Sequence, residues 1–294
     1  MSARDGLFEP PIRAEFEKPT LDASNIGAIQ RPLSAWERIT NVTLLRQVLI
    51  LATIAIVWEA YARWIDSPLM LPPFSEMVNA FIDTTRRGEM LAYASNSVRS
   101  LLLGYAAGVT CAVILTGFAV STRIGNDFLA TITAMFNPLP AIALLPLALL
   151  WFGLGTPSLV FVLIHAVLWP LALNTHSGFL AVSDTLRMVG GNCGLTGIRY
   201  FAGILVPAAF PSILTGLKIG WAFAWRTLIA AELVFGAGGG GGGLGWFIFQ
   251  ARNELLTAYV FAGLTAVIII GLLVENVIFR TIEVHTVRKW GMQR

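Results

Sequence analysis

The sequence predicts an all-α, polytopic membrane protein, and three observations carry that prediction. Of the 294 residues, 56% are hydrophobic and only 13% charged, whereas soluble domains carry about a quarter charged residues. Several apolar runs reach the roughly 20 residues that a helix needs to cross about 30 Å of hydrocarbon. Within those runs the pattern does not alternate, as the strands of about 10 residues in a membrane barrel would. The net charge of +3 is small, and the basic residues flank the apolar runs instead of clustering. Binding to nucleic acid has no support.

Residues 1–40 are polar, mixed in charge and punctuated by Pro10, Pro11, Pro19 and Pro32. They predict a flexible cytoplasmic N-terminal tail. No cleavage pattern occurs there, so the first spanning helix is expected to serve as its own insertion signal. Six spanning helices are expected, at 45–64, 98–120, 128–152, 158–180, 213–235 and 258–282. Residues 41–97 thus hold the first span and an outer segment, and 98–282 a five-helix core with a polar loop at 184–211. Residues 283–294 form a short cytoplasmic tail. After Leu71-Pro72-Pro73-Phe74, the residues Met77, Val78, Phe81 and Ile82 recur at helical spacing, which predicts an amphipathic helix at the outer interface. With both termini inside, thirteen Lys and Arg fall on the cytoplasmic side and five outside, the distribution the positive-inside rule favours. The chain shows no internal repeat, so a symmetric pathway of the kind built from repeats would need a second subunit.

The third span contains Asn137-Pro138-Leu139-Pro140 and then Leu145-Pro146. Proline removes a donor and clashes with the preceding turn, so this helix should bend or break. Irregular backbone survives in a membrane where it is buried in protein or lines a cavity. Asn137, Pro138, Pro140 and Pro146 are therefore candidate pathway residues, a packing kink being the alternative. In the fifth span Arg226 lies about 13 residues in, where a charge costs several kcal/mol unless it meets a cavity or a partner. It is a candidate for anion contact, with structural pairing as the other reading. Glu232, six residues further, points elsewhere around the helix and is a weaker pathway candidate. Lys218 is expected to snorkel to the inner interface.

His165 and His176 fall nearly on one face of the fourth span but about 16 Å apart along it, too far to share a metal. Glu59 and Arg63 are spaced for a local ion pair. Cys111 and Cys193 lie in different regions, so neither a disulfide nor a metal site is expected. The glycines at 238–243 lead into Leu244-Gly245-Trp246, without the Lys-Ser or Lys-Thr of a phosphate-binding loop; an outer turn is expected. The chain offers no paired acids, no nucleophile with its base and no ligand cluster. It is expected to catalyse nothing, to bind no cofactor and to hydrolyse no ATP itself.

The most informative stretch is 186–211, LRMVGGNCGLTGIRYFAGILVPAAFP. Its anchors are Gly194, Phe201, Pro207 and Pro211. This stretch resembles the cytoplasmic coupling loop of ABC-importer permeases, whose pattern is Glu-Ala-Ala, a glycine, and an apolar residue with proline at the exit. Laid on Gly194 and Pro207, the triplet falls on Met188, Val189 and Gly190. Leu145-Pro146 with Leu150-Trp151-Phe152-Gly153-Leu154-Gly155, the run PAAFPSILTGLK at 207–218, Ala230-Ala231-Glu232 and Gly243-Leu244-Gly245 resemble the permeases for nitrate, sulfonates, taurine and bicarbonate.

That resemblance implies a type I ABC-importer permease fold in a cell inner membrane and import of a small anionic solute by alternating access. It implies two cytoplasmic ABC ATPase subunits that use the ATP, an extracytoplasmic solute-binding protein and a second permease copy, a homodimer being favoured over a heterodimer. In the coupling loop it marks Asp184, Leu186, Arg187, Met188, Gly190, Gly194, Phe201 and Pro207. A short helix there would dock on the ATPase, with Gly194 permitting the turn after it and Pro207 stopping the loop before helix five. Met188 replaces the family glutamate. A matched change in the ATPase is the favoured reading, over a heterodimer whose other half keeps the glutamate and over weak coupling. The rival functions are a gradient-driven transporter acting alone and a membrane scaffold or sensor without transport.

Overall fold

In a computed structural model the described residues are 43–235 and 242–289. The tail expected at 1–40, most of the glycine run and the end of the C-terminal tail lie outside them. The chain divides into two units, Met1–Ala55 and Ile56–Arg294. In the first unit, the described part is the opening of α1 (Thr43–Ile65), along which Leu44, Val48, Leu49, Ile50, Leu51 and Ile54 are exposed. A helix apolar all round is suited to lipid.

The second unit begins with the latter half of α1, which is tied to α2 (Phe74–Arg86) by one carboxylate. Glu59 pairs with Arg63 at 2.6 Å and accepts 3.0 Å hydrogen bonds from the Ser75 N–H and hydroxyl. The expected local ion pair thus also serves the donors at the start of α2, where a negative charge is favourable. The amphipathic helix buries Met77, Ala80 and Thr84. Gly88, at φ 79°, turns the chain into α3 (Glu89–Ser121). This second span starts nine residues before its expected position at 98, because 89–97 is too polar to register as spanning although Met90 and Ser97 are buried.

The third span is broken. Its halves, α4 (Arg123–Phe136) and a 3-10 turn (Ala141–Leu144) leading into α5 (Leu145–Phe152), are bent by 86°. Pro138 and Pro140 sit in the break, while Pro146 occupies the first turn of α5, where a missing N–H costs nothing. The fourth span, α6 (Thr156–Leu180), is central and packs most extensively on α3 and on α9. Gly104 and Gly108 of α3, and Gly216 and Gly220 of α9, lie against Leu163, Val167 and Leu171, so closely at Gly104 and Gly108 that a Cβ would collide. Small residues replace the hydrophobic effect as the means of close helix approach in lipid.

The polar loop forms α7 (Asp184–Asn192) and α8 (Gly197–Tyr200), then a π turn (Phe201–Leu205) that runs into α9 (Val206–Phe235). The expectation that Pro207 stops the loop before helix five is corrected here. Pro207 stands within a continuous helical rod, at the join between π turn and α-helix. There the wider turn absorbs the missing donor. The chain ends with α10 (Leu244–Asn253), α11 (Thr257–Leu273) and α12 (Arg280–Glu283), the last between two π turns, Val274–Phe279 and Val284–Arg288. Lys218 does not simply snorkel; its Nζ lies 2.5 Å from the Glu283 carboxylate. Among the described residues, five helices are long and apolar enough to span, and six if the bent pair counts as one.

Candidate functional site

The break in the third span borders a cavity of about 310 Å³ between that span, α6 and α9. Its walls bring together Asn137, Pro138 and Pro140 from the break with Arg226 from α9, and add His165 and Trp169 from α6. Pro138 and Pro140 create the wall as well as mark it, because the missing donors prevent α4 from continuing through that space. Arg226 is exposed and makes no ion pair among the described residues. A lone guanidinium in a long apolar helix is costly in lipid and is relieved by facing an aqueous cavity.

Two residues of this wall carry no sequence signal beyond their type. A histidine in a spanning helix suggests at most a metal ligand, and a tryptophan there is one apolar residue among many. Phe136, the last residue of α4, stacks on Trp169 at 5.6 Å with an interplanar angle of 8° and meets His165 edge-on at 6.5 Å. Among the described residues, neither His165 ring nitrogen nor Trp169 Nε1 reaches hydrogen-bond geometry with a partner, although the Phe136 main chain lies beside the imidazole. Each such buried, unsatisfied group costs about 1–3 kcal/mol. The aromatic cover over these groups is therefore held at a cost.

Pro146 and Glu232 do not line this cavity. Glu232, 5% exposed, instead holds the far end of the glycine-rich loop. Its carboxylate accepts from the Ser97 hydroxyl at 2.8 and 2.9 Å and from the Gly245 N–H at 2.9 Å. The Ser97 oxygen in turn accepts from the Leu244 N–H at 2.8 Å. A Cβ at Gly243 would collide with both the carboxylate and the hydroxyl, and one at Gly245 with the Glu232 side chain. The Gly243-Leu244-Gly245 sequence is thus explained by the lack of room around Glu232.

The polar loop is built as a capped surface helix. Ser183 caps α7 by accepting from the Leu186 N–H at 3.4 Å, and Asp184 lies in the first turn, where a negative charge is favourable. At the other end Gly194 adopts φ 69°, with Leu195 N–H bonded to Gly190 O at 3.0 Å and Gly194 N–H to Gly191 O at 2.9 Å. This paired closure needs a left-handed residue, which glycine provides without steric cost. Arg187 turns inward, donating to Phe179 O at 2.6 Å and Val182 O at 3.2 Å, and so caps the end of α6. Gly190 is buried, and a Cβ there would press on the Tyr200 ring. Phe201 packs on Phe179 at 5.3 Å, and Pro207 is half-buried. Met188 and Leu186 remain outward, 61% and 43% exposed. Of the eight loop candidates, Asp184, Leu186, Met188 and Gly194 are exposed, Arg187 and Phe201 tie the loop to the end of α6, and Gly190 and Pro207 are buried and half-buried.

A bundle of apolar helices with one broken span beside a cavity, and with a capped helix displayed on an interhelical loop, has the architecture of a membrane transport subunit. Residues 100–290 match the model of the family described as binding-protein-dependent transport system inner membrane component. The chain belongs to that family and is the membrane-spanning permease subunit of an importer, with a type I ABC permease fold. It is similar to the nitrate import permease of Synechocystis sp., with 30% identity covering 80% of this chain and 86% of that one. Similarity also extends to the taurine transport system permease of Escherichia coli, at 29% identity over 82% and 87% of the two chains. A putative ABC transporter permease of Methanocaldococcus jannaschii is 28% identical over 81% and 90%.

Proposed function

We propose that this subunit imports a small anionic solute by alternating access, with the cavity beside the broken third span as its passage and Arg226 as its anion contact. The observation that carries this reading is the convergence of Arg226 with Asn137, Pro138 and Pro140 on one cavity. A fixed positive charge there offsets the desolvation of an anion, and the prolines supply a joint at which the wall can move. The nitrate and taurine names of the relatives agree with a small oxoanion group as the recognised feature. A gradient-driven transporter acting alone is disfavoured by the family, whose members depend on a binding protein.

In this reading two permease copies enclose the passage, a solute-binding protein delivers the solute outside, and both termini lie in the cytoplasm. ATPase subunits bind and hydrolyse the ATP and seat on α7, through Asp184, Leu186 and Met188. This chain itself binds no cofactor and has no ATPase site. The inward residues Arg187, Gly190, Phe201 and Pro207 make α7 stiff enough to transmit a push to α6 and α9. Met188 meets an apolar surface matched to it on the ATPase. Glu232 and Pro146 serve the fold around the passage and do not touch the solute.

The test is uptake into vesicles holding the assembled transporter and its binding protein. Arg226→Gln should abolish ATP-driven anion uptake while leaving assembly and thermal stability intact; Arg226→Lys should restore part of it. Wild-type uptake by a folded Arg226→Gln subunit would refute the assignment.

A further inference from the structure

We propose a second anion site, at the end of the bundle that carries α7, which binds an oxoanion group between Arg123, His176 and Arg187. These side chains come from three separate elements: the start of α4, the last turns of α6 and the middle of α7. They converge on a cavity of about 560 Å³, distinct in its lining from the one beside the broken span. Arg123 and His176 make no ion pair or side-chain hydrogen bond among the described residues. Arg187 is held by its Nε and Nη2 on the carbonyls of Val182 and Phe179, which leaves Nη1 uncommitted and fixed in place. One acid, Asp127, lines the cavity, and among the described residues its carboxylate accepts from its neighbour Asn126, at 3.4 Å. The balance of formal charge is therefore positive, and the Asn126 amide adds a neutral donor to the wall. Guanidinium groups in a fixed fork suit planar or tetrahedral oxoanions.

The position gives this site a role. His176 follows His165 by eleven residues on nearly the same face of α6, about 16 Å along the axis. An anion leaving the first cavity along that face arrives at the second. There it meets Arg187, which belongs to the docking helix and clamps the end of α6. Occupancy of the site thus bears directly on the element that receives the ATPase. The identity of the anion as the transported solute rests on the function proposed above; the site itself does not. The same oxoanion chemistry is offered by the phosphodiester of an anionic lipid.

The test uses the full transporter, with its ATPase, in nanodiscs of zwitterionic lipid. The exposed native thiols are removed by Cys111→Ser and Cys193→Ser, and Ser121→Cys reports from the cavity, with Leu180→Cys as a second reporter should the first fail to assemble. Modification rates are measured with an anionic and a cationic methanethiosulfonate, each normalised to a free thiol. The anionic reagent should react on the order of tenfold faster, a focusing effect of clustered charge, and Arg123→Gln should erase most of that preference. Millimolar sulfate should slow the reaction in zwitterionic discs if the source is a free anion. Slowing only after phosphatidylglycerol is added supports the site and assigns it to lipid. Equal rates for the two reagents, unaffected by Arg123→Gln, sulfate or phosphatidylglycerol, would overturn the proposal. Arg226→Gln should stop uptake without changing these rates, so the two readings fail separately.

Discussion

The Ser97 hydroxyl stands between the two oxygens of Glu232, at 2.8 and 2.9 Å, and joins α3 to α9 across 135 residues of sequence. The pair also receives the N–H groups of Leu244 and Gly245, so four polar groups satisfy one another in an otherwise apolar core. Ser97→Ala should cost about 2–3 kcal/mol, since it leaves a carboxylate and an N–H short of partners. A double-mutant cycle with Glu232→Ala, read from unfolding in detergent, should give a coupling of at least about 1 kcal/mol. Additive single effects would show that the two groups do not act together. Gly243→Ala should be more damaging than either, because its Cβ has nowhere to go.

The helix α7, proposed above as the seat of the ATPase, offers a comparison among three glycines. Gly194→Ala places a side chain at φ 69°, a conformation that costs roughly 1–2 kcal/mol, and Gly190→Ala drives a methyl into Tyr200. Both should reduce ATPase binding and uptake while the spanning bundle still melts cooperatively. Gly191→Ala meets nothing within 4 Å and should be neutral or slightly stabilising. Equal loss in all three would mean that the shape of α7 is not what the ATPase reads.

Met188 is the outward apolar side chain where the resembling permeases carry glutamate. If the proposed seat on the ATPase buries it, that burial is worth about 1–2 kcal/mol, so Met188→Ala should weaken ATPase association roughly tenfold. Met188→Glu should not rescue it. Tighter association of Met188→Glu with the native ATPase would argue against a matched apolar contact.

His165 supplies a test of the covered polar groups. Replacing an unsatisfied buried imidazole by an apolar side chain removes a cost, so His165→Leu should stabilise the protein by about 1 kcal/mol. The thermal midpoint should rise by roughly 2–4 °C, and uptake should fall if the passage uses the imidazole once Phe136 moves. A lower midpoint would show that His165 is satisfied where it stands.

Much of this architecture is legible in the sequence because lipid imposes a simple rule. A segment without charges and about 20 residues long has to satisfy its backbone internally, so it is a helix. Prolines at 138 and 140 announce a broken span, and the break is there. Three helix starts precede their expected positions for one reason: hydropathy does not register a polar turn that continues a helix, as at 89–97 and 123–127, or a π turn that leads into one before Pro207. Arg226 is recognisable by its charge alone. His165 and Trp169 are not, because their residue types are equally at home in a core and only the stacking of Phe136 distinguishes them.

The sequence by itself determined the class, the position of the break and the surface loop that carries α7. All of these depend on local composition or on where single prolines and glycines fall. Tertiary structure alone decided the partners. It gave Glu232 to Ser97 and to the N–H of Gly245 instead of the passage, turned Arg187 inward to cap α6, and placed separate elements around Arg226 and around His176, with α6 common to both. Such pairings join residues far apart in the chain, and they depend on how closely helices approach and which faces they turn to each other. In an apolar solvent that is settled by side-chain packing, which no single segment contains.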